Sequence, residues 1–467
     1  MENDRVVGGD PSDPLIYVGR GHAKEVTPIT PIPPEASQRT PNMFKGAVKA
    51  YKRFNPYTMG AVLAQKAVDW IMANKQKPFF LYLATPHIHH PFTPGKRFQG
   101  SSQCGLYGDF IQELDWMVGE VLKCLDEQYL AGNTLVILTS DNGGMFNTAA
   151  QAAFRAGHRI NGDLLGFKFG VWEGGHRVPF IARWPGKIKP GTRSDQLICL
   201  VDMLATFAAL TGQNLDPAQL GDSVNILPAL LGEPESPLRS DLVLAPRQPT
   251  HLSVRRGKWM YIPARGSGGF TGTKPGMHTF AGPAAAMFTG HRNSDIENGR
   301  IKKDAPPAQL YDLEADVKQT QNLYDKYPEV RQEMAALLDS YRSKNKATDA
   351  KKVPAREAGA RQRGKKTAPS ATRPPSRAPR ARMSKPNFIV IFAHDQAYED
   401  LGCFGGKGCA TPAWYDLQQD IGDTRNVLKN HLDVVARLRA YVAAFEQDLA
   451  WNSRRAGFID KLKPFSK

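Results

Sequence analysis

The sequence predicts an α/β fold, and three observations predict it. Residues 134–140 are an apolar, β-branched run that breaks off into Asp141, Asn142, Gly143 and Gly144, the pattern of a buried strand that ends in a polar loop. Residues 79–84 form a second, fully apolar run. Between them a helical period spans about 108–125, with Ile111, Leu114, Val118, Val121, Leu122 and Leu125 on one face. A strand–helix–strand unit with a crossover of this length implies parallel pairing. Third, residues 387–392 repeat the core-strand pattern far along the chain and end in Ala393, His394 and Asp395.

The elements follow in order. Residues 1–58 are rich in Pro and Gly and predict an irregular lead-in. From Met59 an amphipathic helix places Val62, Leu63, Ala67, Trp70 and Ile71 on one face, and Lys77-Pro78 ends it. After strand 79–84 comes a histidine-rich loop containing His87, His89 and His90. After Asp141 about thirty residues have no clear period, and long loops of this kind are often functional. This loop carries His158, Lys168, Glu173, His176 and Arg177. A short strand at 180–184 and a helix at 199–211, packing Leu200, Met203, Leu204, Phe207 and Leu210, complete an α/β domain at 59–235. Two antiparallel strands, at 251–255 and 259–262, and a helix at about 328–342 predict a small α+β subdomain at 236–345. The segment 346–385 is Lys, Arg, Ala and Pro with hardly any large apolar side chain, which predicts a disordered linker. A tail, 386–467, completes the chain.

Composition excludes several classes. Forty-one per cent hydrophobic residues suffice for a globular core, and no eighteen-residue apolar run exists to cross a membrane. No apolar segment follows Met1, so no export signal is expected from these residues; either the location is cytoplasmic by default or the true start lies upstream. Five scattered cysteines argue against a disulfide scaffold. Of the net charge of +16, the stretch from Lys344 to Lys385 carries +12. The high pI is therefore a property of the linker. It lacks interleaved aromatics to stack on bases, and no nucleic-acid partner is expected.

An internal repeat marks the tail. Tyr311, Asp312, Leu313, Asp316, Thr320 and Asn322 recur at an offset of 104 as Tyr415, Asp416, Leu417, Asp420, Thr424 and Asn426. This suggests the ends of two related domains in one chain.

Residues 77–91, 107–119, 134–144 and 166–179 resemble, in order and spacing, the sulfatases, members of the alkaline-phosphatase-like α/β superfamily. The resemblance covers most of residues 59–345. Residues 385–403 are similar to the family's amino-terminal strand and metal motif, and residues 413–467 to its carboxyl-terminal end. The resemblance implies a mixed sheet flanked by helices, with an α/β domain that lacks its usual first part. It also implies calcium as the cofactor, with Asp141, Asn142 and Asp395 as ligands, and His89 and Lys168 as catalytic residues against the sulfate. The family usually has two adjacent aspartates where this chain has His394 and Asp395, so one hard anionic ligand is lost. Strand 387–392 can fill the vacant first-strand place beside 134–140 and bring Asp395 to Asp141 and Asn142.

A sulfate monoester is an anion, and a dication with cationic donors would hold its oxygens and stabilise charge on the leaving oxygen. The resemblance implies as nucleophile a cysteine oxidised to formylglycine within Cys-x-Pro-Ser-Arg, or a close serine variant of that motif. None of Cys104, Cys124, Cys199, Cys403 or Cys409 stands in that frame, so no formylglycine is expected. The reading is a sulfuric ester hydrolase by family, acting on an aryl or carbohydrate sulfate, with impaired or absent turnover. The alternatives are a non-catalytic binder of sulfated or phosphorylated ligands and a functionless fusion remnant. His87, His90, His176, Arg177 and Glu173 are expected to be structural.

Overall fold

The computed structural model describes residues 55–349 and 385–401, with two short paired strands at Ile16–Tyr17 and Val48–Lys49. Residues 350–384 of the expected linker and the repeat at 415–426 lie outside the described residues, as do most of the lead-in and Cys403 and Cys409, while residues 346–349, expected in the linker, belong to the helix Pro328–Asp349.

The main sheet comprises β1 (Phe80–Ala84), β2 (Thr134–Ser140), β3 (Phe180–Arg183) and a strand from the tail, Asn387–Ala393. The tail strand lies between β1 and β2, parallel to both, and β3 pairs antiparallel to β2. The sheet is therefore mixed. β1 and β2 run parallel as expected but are not neighbours, because Ile389 pairs with Leu81 on one side and Val136 on the other. Asn387 fixes this register at the strand start. Its Oδ1 accepts from the Phe79 N–H at 3.1 Å, and its Nδ2 donates to Thr134 Oγ1 at 3.2 Å.

Helices cover both faces. Helix α1 (Met59–Asn74) and helix α2 (Gly105–Glu127) pack Ala64, Ala67, Ile71, Met117, Val121 and Leu125 on Leu83, Val136, Ile389 and Ile391. On the other face Leu135, Ile137 and Phe388 meet Met203, Phe207 and Leu210 of a later helix (Met203–Thr211). A second, antiparallel sheet holds Asp241–Leu244, Ser253–Arg256, Trp259–Ile262 and Gln309–Asp312, with the helix Pro328–Asp349 packed on it through Met334 and Leu338.

Several expectations are corrected. The buried face of α1 is set by Ala64, Ala67 and Ile71, while Val62 and Trp70 are exposed. Small residues let α1 lie close to α2, and the larger ones turn outward. β1 is an edge strand, so Phe80 and Tyr82 remain about half exposed despite the apolar run. Leu204 is likewise exposed, and its helix begins with a 3-10 turn at Leu200–Asp202. The aperiodic loop after Asp141 contains a helix, Thr148–Arg155, capped by the Asn147 side chain on the Ala150 N–H. Its apolar residues are mostly alanines, which gave little periodic signal.

Candidate functional site

The site lies beyond the carboxyl ends of β2 and the tail strand, where ligands bind in open α/β sheets. Asp141 and Asn142 leave β2 through a turn that only glycine permits: a Cβ on Gly143 would meet the Gly174 carbonyl oxygen at 2.0 Å. The Gly143 N–H donates to Gly175 O at 3.1 Å. This contact presses the Glu173–Gly175 turn against the strand end.

The tail strand delivers His394 and Asp395 alongside. The Asp395 N–H donates to Asp141 Oδ1 at 3.0 Å, and Asn142 Nδ2 donates to Asp395 Oδ1 at 2.9 Å. Lys168 Nζ forms a buried ion pair with that same Oδ1. Thus two donors occupy Oδ1, while Asp395 Oδ2 is buried without a hydrogen-bond partner. His394 Nδ1 lies 2.5 Å from Asp141 Oδ2 and 3.3 Å from Asp395 Oδ1. One donor atom from each of Asp141, His394 and Asp395 lies within 4.8 Å of the others, the only such trio of metal-ligating types among the described residues.

His89 enters from the loop after β1. Its Nδ1 is 2.5 Å from the His90 carbonyl oxygen and its Nε2 is 3.9 Å from Asp395 Oδ2. Its ring stacks on His394 with centroids 4.4 Å apart. Burial holds the His89 ring below its ordinary pKa, against the opposing pull of Asp395. Burial pushes the Asp141 carboxyl up, but His394, the Asp395 N–H and Lys168 outweigh it, and its pKa stays below the usual carboxylate value.

Two residues here hold left-handed backbone, Asp395 at φ +61° and Phe169, next to Lys168, at φ +72°. A bulky aromatic in that region is uncommon, and such strain concentrates where surrounding structure fixes functional groups. The five residues singled out from sequence, His89, Asp141, Asn142, Lys168 and Asp395, are all brought together.

The other residues of these loops serve the scaffold. His87 Nε2 lies 3.3 Å from Glu113 Oε2 in the core, and Glu173 is buried in an ion pair with Arg177. His394 belongs to the cluster as a neighbour of both carboxylates, which sequence reading treated only as a lost aspartate. Sequence reading also passed over a buried trio that anchors the tail. His158 Nε2 lies 2.8 Å from Asp400 Oδ1, and the Tyr107 hydroxyl donates to Asp400 Oδ2 at 2.9 Å. A lone aspartate distant in sequence gave no signal for that network. Cys104 and Cys124 are buried in the core, and Cys199 precedes the helix on the far face of the sheet.

The sulfatase family profile matches residues 30–213. An N-acetylgalactosamine-6-O-sulfatase of Bacteroides thetaiotaomicron is 32% identical over 360 residues, covering 74% of this chain and 65% of that protein. Rat steryl-sulfatase is 41% identical over 170 residues, covering 36% of this chain and 29% of that protein. The chain thus spans less than two thirds of these curated relatives. A solved structure described under glycosaminoglycan metabolism by Bacteroides thetaiotaomicron superposes with a TM-score of 0.57 at 30% identity, covering 73% of this chain and 69% of that one. No helix among the described residues is long and apolar enough to cross a membrane. Mixed sheet, flanking helices and sequence kinship agree: this chain belongs to the sulfatase family.

Proposed function

We propose that this chain binds a sulfate ester, of a carbohydrate or an aryl alcohol, at the strand-end cluster, and that as a sulfuric ester hydrolase it turns over slowly or not at all. The observation that carries the reading is the convergence of Lys168 and His89 on the carboxylates at the ends of two parallel strands. Lys168 would hold a sulfate oxygen, and His89 would stand against the leaving alcohol. The N-acetylgalactosamine-6-O-sulfatase relative favours a sulfated amino sugar as the ligand class. Impaired turnover follows from chemistry. Without a cysteine in the modification frame the covalent route has no first step, and the reading then shades into that of a non-catalytic binder.

The anion needs a dication to offset Asp141 and Asp395. Calcium is the ion the family resemblance implies, with Asp141, Asn142 and Asp395 as oxygen ligands, but the donor set fits it poorly. Calcium takes six to eight oxygens. Here Asp395 Oδ1 is already held by Lys168 and Asn142, and an imidazole stands beside Asp141.

The test combines two assays. Titration with 6-O-sulfated N-acetylgalactosamine is expected to give saturable, dication-dependent binding that Lys168→Ala weakens by about tenfold or more, the loss of roughly one charged hydrogen bond. A chromogenic aryl sulfate is expected to be hydrolysed no faster than in buffer. Turnover that His89→Ala abolishes would overturn the impaired reading, and binding indifferent to Lys168 would overturn the site.

A further inference from the structure

We infer that the site extends past Lys168 onto a platform of two rings, Phe169 and Phe270, that ends in Arg247, and that it takes a sulfated glycan whose neighbouring sugar carries a second anionic group. The inference rests on the reading that Lys168 holds the sulfate, and it selects a glycan over an aryl ester.

Three separate stretches of chain build the platform. Lys168, Phe169 and Gly170 belong to the long loop after β2, Arg247 follows the strand Asp241–Leu244, and Gly266, Ser267, Gly268, Gly269 and Phe270 follow the strand Trp259–Ile262. Glycine lets them meet: a Cβ on Gly269 would lie 2.9 Å from the Gly170 nitrogen. Backbone hydrogen bonds then lock the three together. The Arg247 N–H donates to Phe169 O at 2.9 Å, the Gln248 N–H to Gly268 O at 2.9 Å and the Val171 N–H to Ser267 O at 2.8 Å. Phe169 is held at φ +72° within this frame. Left-handed backbone at a bulky aromatic persists only where the surroundings fix it, and such positions concentrate at ligand clamps.

The side chains form a row of alternating character. Lys168 Nζ lies 5.0 Å from the Phe169 ring centroid, the two rings are 4.3 Å apart at 57°, and Arg247 Cζ lies 5.2 Å from the Phe270 centroid. Both rings are only partly buried and Arg247 is exposed. Among the described residues its guanidinium has no carboxylate partner. Ring faces suit the C–H face of a sugar, whose hydroxyls stay at the edge in water. A guanidinium offers a planar fork of donors that matches two oxygens of one anionic group. An aryl sulfate carries one charge, so it would use Lys168 and the rings and leave Arg247 idle. A glycan with an acidic group on the next sugar engages every member of the row. That group is a carboxylate or a second sulfate, which present the same paired oxygens to the fork.

The experiment titrates the full chain by calorimetry with four probes: 6-O-sulfated N-acetylgalactosamine, the same sugar joined to a uronic acid, that disaccharide with its carboxyl reduced to an alcohol, and a disaccharide whose neighbouring sugar bears a sulfate instead. The charged disaccharides are expected to bind about tenfold or more tighter than the reduced one, the gain from one charged hydrogen-bonded pair. The carboxylate and sulfate arms identify the preferred anion by the larger gain. In Arg247→Gln the ratio of charged to reduced affinity is expected to fall to near one. Phe270→Ala is expected to weaken all the disaccharides together, by about threefold or more. Equal binding of charged and reduced disaccharides in the parent protein would overturn the inference while the sulfate reading stands. So would a ratio that Arg247→Gln leaves unchanged, or an aryl sulfate that binds as tightly as the charged disaccharides. Affinities indifferent to Lys168→Ala would sink the sulfate reading itself, and the inference with it. Far-ultraviolet dichroism of each variant separates loss of the platform from loss of the fold.

Discussion

The tail strand is the central support of the sheet, and Ile389→Ala measures how much of the fold depends on it. Ile389 has no exposed surface and sits in the middle of a seven-residue strand, paired with Leu81 and Val136. It contributes to the cluster that joins α1 and α2 to the sheet. Removing its outer carbons loses transfer free energy and leaves a cavity, and such buried truncations cost about 2–5 kcal/mol. The upper half of that range applies here, because the neighbours belong to three strands and two helices and cannot all move in. For a protein of this size the loss is a fall in melting temperature of about 4–10 °C. The control is Val62→Ala, on the exposed face of α1, where a change within about 0.5 kcal/mol is expected. Thermal and urea denaturation of both variants read the difference. If Ile389→Ala melts with the parent protein, the strand is not in the sheet, and the gathering of Asp395 with Asp141 fails with it.

The remaining predictions concern buried charge. Lys168→Met leaves the Asp395 carboxylate with only the Asn142 amide on Oδ1, and breaking a buried pair costs about 3–5 kcal/mol; urea denaturation measures it, and added dication is expected to restore part of the loss. Burial works to lower the His158 pKa, but Asp400 overrides it and holds the ring above its ordinary 6.5. The stabilisation from that pair is therefore fully present below pH 6.5 and is lost as pH rises through the folded value, a slope that His158→Gln is expected to flatten in melting curves across pH. Glu173 has the opposite sign: burial pushes it up, Arg177 outweighs that, and its pKa lies below 4.5. Its contribution is present above pH 4.5 and lost as pH falls through the folded value, so Glu173→Gln is expected to lower stability at pH 7 and reduce its loss on acidification. His291 is pushed down to about 4, chiefly by burial and then by Arg159. Stability is expected to fall by up to about 3 kcal/mol as pH drops from 6.5 to 4, and His291→Gln to remove that slope.

The parts of the fold that were legible are those in which one periodic signal decided one element. The run at 134–140 reads as a strand buried on both faces, and it is one. The period at 108–125 gives α2 to within a few residues of Gly105–Glu127. Legibility failed where burial depends on neighbours rather than on pattern. Phe80 and Tyr82 are as apolar as any core residue but lie on an edge strand. Ala64 and Ala67 carry little hydrophobic signal, yet their small size fits them to the α1–α2 contact. The polar contacts across the tail were hidden for a different reason. Asn387 to Phe79 spans 308 positions and His158 to Asp400 spans 242, and no local rule links residues so far apart.

Chain order and spatial order differ here in a way that bears on the site. The strand between β1 and β2 comes after both of them in sequence, so its ordering entropy is recovered only once the other strands are in place. What recovers it is a continuous ladder on both sides, the Asn387 cross-link at one end and the buried Asp400 network at the other. Asp395 lies between these anchors, just past the end of the ladder, and its left-handed backbone is held from both directions. A carboxylate held this way keeps Oδ2 aimed at His89 even though solvation would favour turning it to water. That constraint keeps Asp395 Oδ2 buried and unpartnered, 3.9 Å from His89 Nε2.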